Sequence, residues 1–172
     1  MKVKKDTRTH YEGYIEDGQY HIERLTSKEE YEYDSEENLL CYSYENYDEN
    51  GAVAYGMHTS RQAIEGGYIY EKFDLEGHKL RSDRYDKRGN HVESRSQSQI
   101  YRWKYDLNDR LIEEYEESIG EGWLLTKYEY DQEGRVEREL LTDDQGQTGS
   151  RDHFYSRDFI GNIVECILSE EG

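Results

Sequence analysis

The sequence predicts an all-β protein. The expected architecture is an antiparallel meander of repeated β-hairpins, about ten to twelve short strands in all, built as a single repeat domain over residues 1–172. Three observations lead there. A turn unit of the form aromatic-Asp-x-x-Gly recurs along the chain. Between its copies, aromatic or apolar residues alternate with polar ones at period two, the pattern of a strand with one covered face. The composition holds 18 Tyr and no Pro. Tyrosine can cover a sheet face while its hydroxyl stays wet, and a disordered chain of equal charge is poor in aromatics.

In chain order, Asp17-Gly18 supplies the first turn. Tyr31 and Tyr33 bracket Glu32, and Tyr33-Asp34 opens a degenerate copy with Glu37 at the Gly position and Leu39 behind it. Leu40, Tyr42 and Tyr44 share a face. Tyr47-Asp48-Glu49-Asn50-Gly51 is complete and runs into Val53. Gly66-Gly67 fits an unmarked turn in the long gap that follows. Phe73-Asp74-Leu75-Glu76-Gly77, ending at Leu80, and Tyr85-Asp86-Lys87-Arg88-Gly89, with Val92, are complete. A further turn is expected near Ser96 to Ser98. Tyr101, Trp103 and Tyr105 then fall on one face, with Arg102 and Lys104 on the other. Tyr105-Asp106 carries Asp109 at the Gly position, then Leu111. Residues 113–118 have helical composition, but Trp123 follows directly and the strand rhythm continues, so a strand is expected. Gly120-Glu121-Gly122 marks a turn, and Leu124, Thr126, Tyr128 and Tyr130 share a face. Tyr130-Asp131-Gln132-Glu133-Gly134, with Val136, is complete. Asp143 to Gly146 and Asp158 to Gly161 keep Asp and Gly but lose the aromatic before the Asp.

Each residue type has a reason. Asp at the first position accepts hydrogen bonds from amides two residues on. Gly three residues later supplies positive φ and closes a turn with a bulge. Asp48, Gly51, Asp74, Gly77, Asp86, Gly89, Asp131 and Gly134 are therefore expected to be structural turn residues.

From about Tyr31 to Val164 the unit resembles the YD repeat of Rhs and related polymorphic-toxin proteins. Tyr128-Glu129-Tyr130-Asp131-Gln132-Glu133-Gly134-Arg135-Val136 is the nearest copy. In that family, hairpin repeats wind into a curved sheet that forms a shell around a toxin domain. The resemblance implies a curved sheet or an open barrel. The family's self-cleaving Asp-Pro-x-Gly-Leu segment is absent, and 172 residues are too few for a shell that encloses a toxin.

Charge narrows the function. Lys and Arg number 22 against 40 Asp and Glu, leaving a net charge of −18. Nucleic acid and anionic membrane are repelled by such a surface, whereas a basic protein is attracted. No apolar run reaches membrane-helix length, and Met1-Lys2-Val3-Lys4-Lys5-Asp6 does not open a secretory signal, so a cytoplasmic location is expected. Cys41 and Cys166 read as buried free thiols. Ser150 sits in a polar turn. His10, His21, His58, His78, His91 and His153 lack metal-ligand spacing. The acid pairs Glu113-Glu114, Glu116-Glu117 and Asp143-Asp144 read as solvated faces among 40 acids. No phosphate loop occurs, and Lys87-Arg88 inside one Asp-x-x-Gly turn argues against calcium. No catalytic, cofactor-binding or metal-ligating residue is therefore expected, and the chain does not read as an enzyme.

The segment from Glu116 to Trp123 breaks the repeat and combines acids with an aromatic. Glu116, Glu117, Glu121 and Trp123 are the expected partner-binding residues. A second break spans Met57 to Gly67. The expected function is a non-enzymatic protein-binding module, an immunity protein that binds and neutralises a basic toxin domain. The alternative is a structural fragment of a repeat shell, or a carrier protein of a toxin or secretion system. Self-association through open sheet edges is a further expectation.

Overall fold

A computed structural model describes residues 3–157 and 163–171 of the chain. Their backbone forms thirteen strands and no helix, so no helix is long and apolar enough to cross a membrane. The contacts divide the chain into two units, Met1–Lys87 and Arg88–Gly172.

The first unit holds β1 (Lys4–Glu16), β2 (Gln19–Tyr33), β3 (Leu39–Tyr47), β4 (Val53–Ile64), β5 (Gly67–Phe73) and β6 (Lys79–Asp86). Each strand pairs antiparallel with the next. The second unit holds β7 (His91–Ser96), β8 (Gln99–Tyr105), β9 (Leu111–Ser118), β10 (Gly122–Tyr130), β11 (Val136–Asp143), β12 (Thr148–Arg157) and β13 (Ile163–Glu171). It follows the same rule. The meander is as expected. The strands number thirteen, just above the rough expectation of ten to twelve, and the turns expected without the full motif, at residues 17–18, 65–66, 97–98 and 119–121, all fold the chain back. Not every strand is short: β1, β2 and β4 have 13, 15 and 12 residues. The segment of helical composition is β9. The turn expected from Asp158 to Gly161 lies outside the described residues.

The repeated turn has one hydrogen-bond scheme. In the Asp131 copy, the Asp131 amide donates to the Arg135 carbonyl at 2.9 Å, and the Gly134 amide donates to the Asp131 carbonyl at 3.1 Å. Asp131 Oδ1 accepts the amides of Glu133 and Arg135 at 2.8 and 3.0 Å. Oδ2 accepts Arg135 Nε at 2.6 Å. The carboxylate thus takes up donors that the turn would otherwise leave to water. Asp34, Asp48, Asp74, Asp106 and Asp143 repeat the two amide contacts of the main chain. The side chain four residues on reaches Oδ2 from Asn38, His78 and Arg110 as well.

The fourth turn position requires positive φ, and it is found with or without glycine. Gly51, Gly77, Gly89, Gly134 and Gly146 have φ between 74 and 90°, while Glu37 and Asp109 are held at 64 and 61°. A bulge follows the turns that begin at Asp34, Asp48, Asp74, Asp106 and Asp131. The aromatic before Asp pairs with the fifth residue after Asp, and the sixth is looped out, as with Tyr130↔Val136 beside Glu129↔Arg138. Leu40, Ala54, Leu80 and Ile112 occupy the same place. Such bulges raise the local twist.

Among the described residues there is almost no buried core. Ile100, Ser94 and Thr126 fall below a tenth exposed, and Gly56 is buried too. Rings and ion pairs across neighbouring strands take its place. Tyr68 stacks on Tyr85 with centroids 4.8 Å apart, and Arg61 lies 4.1 Å over the Tyr68 ring. His58 stacks on Phe73 at 4.9 Å. Cys41, expected to be buried, is only half-buried, because a single-layer sheet offers no second layer to cover it. Burial still raises its thiol pKa. The Cys166 side chain lies outside the described residues.

Candidate partner-binding site

The four expected site residues all belong to the β9–β10 hairpin. Its register pairs Gly122 with Ser118, Trp123 with Glu117 and Leu124 with Glu116. Alternation then separates them: Trp123 and Glu117 lie on one face, Glu116 and Leu124 on the other. Glu121 is in the turn, where its amide donates to the Ser118 carbonyl at 2.9 Å. The Ile119 amide donates to the Ser98 carbonyl at 2.9 Å and ties this tip to the β7–β8 turn.

Three of the four side chains, Glu116, Glu117 and Trp123, meet a tyrosine. Tyr101 donates its hydroxyl to Glu116 Oε1 at 2.9 Å, and Tyr115 donates to Glu117 Oε2 at 3.0 Å. Trp123 is half-buried and stacks on the Tyr115 ring, with centroids 5.9 Å apart. Burial, and next the bond to Glu117, push the Tyr115 pKa up.

Glu116, Ser118, Glu121, Gly122, Trp123 and Leu124 line a shallow concavity of about 240 Å3 that wraps the end of the hairpin. Asp144, from the β11–β12 turn, leans against Gly122. A Cβ built on Gly122 would lie 2.8 Å from Asp144 Oδ2, and φ there is 141°. Glycine is therefore what lets the Asp144 carboxylate approach the backbone at Gly122, a lining residue of the concavity. Carboxylates beside an indole edge and an exposed Leu124 suit a lysine or arginine side chain, which brings both a charge and an apolar stem. Glu117 lies away from this concavity, on the Trp123 face. Ser118, Gly122 and Leu124 were missed as lining residues, and Asp144 as a neighbour. The repeat break pointed to the hairpin, but only the strand register brings Asp144 to it.

Elsewhere, ligand atoms of Asp74, Glu76 and His78 lie within 4.8 Å of one another. His78 Nδ1 is 3.0 Å from Asp74 Oδ2 and occupies the place that Arg110 and Arg135 take in their turns. The repeat geometry accounts for that grouping without an ion. Glu114, half-buried, accepts Trp103 Nε1 and the Tyr128 hydroxyl, both at 2.9 Å. Burial, and next the bond to Glu114, raise the Tyr128 pKa strongly.

Compared with known proteins, the chain matches no family model and none of the curated proteins.

Proposed function

We propose that this chain is a non-enzymatic binding module, a cytoplasmic immunity protein that captures and neutralises a basic toxin domain. The acid-lined concavity at the β9–β10 tip carries the reading. It gathers Glu116, Glu121 and Trp123 at a hairpin where the repeat is interrupted, with Asp144 beside Gly122, on a chain of net charge −18. Acidic surface steers a cationic partner and raises its on-rate. The resemblance to toxin-associated repeats supports the same class.

The test is co-expression with a basic toxin domain, followed by binding kinetics on the purified pair. Growth should be restored, and the on-rate should fall as salt rises. Trp123→Ala should weaken binding by about 2 kcal/mol, while Trp123→Phe, which keeps a ring on Tyr115, should cost less. A salt-independent on-rate, or unchanged affinity in folded Trp123→Ala, would refute the assignment.

The second reading, a shell fragment or carrier, is favoured by the uniform turn geometry, which would let repeats add on at both ends. It calls for open-ended assembly rather than a closed complex.

A further inference from the structure

The outer edge of β1 points to a second partner, another copy of this chain. β1 runs 13 residues without a bulge in its own backbone and pairs with β2 alone among the described strands. β3 begins to pair with β2 only at Ser27. Beyond that point, residues 11–25 form a two-stranded ribbon with no third strand among the described residues. One of its faces carries Tyr11, Ile15, Tyr20 and Ile22, which are 47, 74, 58 and 63% exposed. They share a face because Ile15 pairs with Tyr20, Gly13 with Ile22 and Tyr11 with Leu25. A lone ribbon is marginal in water, and an open edge invites a strand.

The charges along β1 choose the strand. On its other face lie Lys4, Asp6, Arg8, His10, Glu12, Tyr14 and Glu16. A two-fold axis normal to the sheet pairs residues of the same face, so the two numbers of each pair add to an even sum. With the axis at His10, Lys4 meets Glu16 of the second copy and Arg8 meets its Glu12. Each pair occurs twice, and Asp6 faces Tyr14. Sliding by two residues either way sets Asp6 against Glu12 or against Glu16. Lys4 and Glu16 have no ion-pair partner of their own among the described residues. Glu12 is held by Arg24 at 2.5 Å, and Arg8 lies 3.5 Å from Asp6, so both are already ordered at the edge.

We propose that two copies join through β1, antiparallel and centred on His10. Residues 4–9 of each copy then supply the third strand that the other's ribbon lacks. Tyr11 comes beside Thr9 of the second copy, and Ile15 beside the aliphatic stem of its Lys5. The contact is isologous, so it closes as a dimer and does not propagate. It belongs to the first unit and the acid-lined concavity to the second, and neither assignment depends on the other.

The experiment is sedimentation of the full chain and of charge variants. Wild type should be a dimer. Lys4→Glu or Glu16→Lys alone should raise the dissociation constant by roughly tenfold or more, since each replaces attraction with repulsion at two places. The double variant, and an equimolar mixture of the two single variants, should restore it. In a chain with Cys41 and Cys166 changed to Ser, His10→Cys should form an intermolecular disulfide under oxidation, and Lys4→Cys should not. A wild-type monomer at high micromolar concentration would overturn the dimer. Charge variants that fail to rescue one another, or crosslinking at position 4 in preference to 10, would overturn the register.

Discussion

Glu37 and Asp109 stand at the same turn position with nearly equal φ, 64 and 61°, yet glycine should act oppositely at the two sites. A side chain in the left-handed region costs about 1–2 kcal/mol. Glycine removes that cost but adds about 0.5–1 kcal/mol of chain entropy on folding. At Glu37, whose side chain makes no hydrogen bond or ion pair among the described residues, the balance favours Glu37→Gly by roughly 0.5–1 kcal/mol. With a urea slope near 2 kcal/mol/M, the midpoint should rise by roughly 0.25–0.5 M. At Asp109 the starting strain is smaller, because Asp tolerates this region. The carboxylate there also pairs with Arg88 at 2.7 Å and accepts Asn90 Nδ2 at 2.8 Å. Losing two exposed contacts costs about 0.5–1 kcal/mol, so Asp109→Gly should be neutral or mildly destabilising. The assay is urea unfolding followed by circular dichroism, with both variants beside wild type. An equal gain at the two sites would show that Asp109 contributes nothing through its side chain. A loss at Glu37 would show that backbone conformation does not set the strength of these turns.

Other outcomes follow from the same geometry. Gly134→Ala should cost about 1 kcal/mol, because φ is 80° and only Arg110 lies near; the same unfolding assay reads it. Gly56→Ala should cost about 1–3 kcal/mol for a different reason: its Cβ would meet Leu75 Cδ2 at 2.7 Å and the Tyr44 carbonyl oxygen at 2.8 Å. Asn38 at Asp34, and the backbone amides of Arg110 and Arg135 at Asp106 and Asp131, hold those carboxyls below their ordinary pKa. A depressed carboxyl stabilises above its unfolded pKa and loses that contribution as pH falls through the folded one. Stability should therefore drop below about pH 4, and Asp131→Asn should flatten that drop in acid titration of the fold. Tyr128 should be among the last tyrosines to ionise in an ultraviolet pH titration, and Glu114→Gln should bring it earlier.

The turns were legible because their signal is local. Asp needs only the amides two and four residues on, and the positive φ is written into the chain as Gly51, Gly77 or Gly134. The unmarked turns at 17–18, 65–66 and 119–121 also carried their own glycine. What the sequence hides is what bulges decide. Five copies loop out one residue after the turn, at Leu40, Ala54, Leu80, Ile112 and Glu137, while the Asp143 copy runs on in register, and every such slip changes which face the next residues occupy. A period-two reading runs straight through these positions. It cannot give the cross-strand partners that put Glu114 between Trp103 and Tyr128, or Asp144 against Gly122. Glu116 and Glu117 looked equivalent as neighbours; the pleat sends only Glu116 into the concavity. Cys41 looked buried because its neighbours are apolar, but a sheet of one layer leaves it half open.

The second unit also sorts its charges by end, and this links its stability to its proposed use. Successive hairpins put the turns at 87–90, 106–110 and 131–135 at one end and those at 97–98, 119–121 and 144–147 at the other. At the first end arginines knit one turn to the next. Arg88 donates to the carbonyls of Asp106 and Leu107. Arg110 lies 4.7 Å over the Tyr130 ring, and Arg135 lies 4.9 Å over the Tyr155 ring. Tyr130 and Tyr155 in turn donate to the carbonyls of Leu111 and Val136 at 2.5 and 2.7 Å. The turns at the other end contain no Lys or Arg, but include Glu121 and Asp144. The arginines of these turns are thus committed where a coreless sheet needs cross-links, and Glu121 and Asp144 stand at the end whose turns carry no cation. A field built that way draws in a basic partner end-on. Replacing Arg135 should loosen the fold without altering the salt dependence of capture, whereas replacing Glu121 and Asp144 with their amides should leave the fold intact and flatten that dependence.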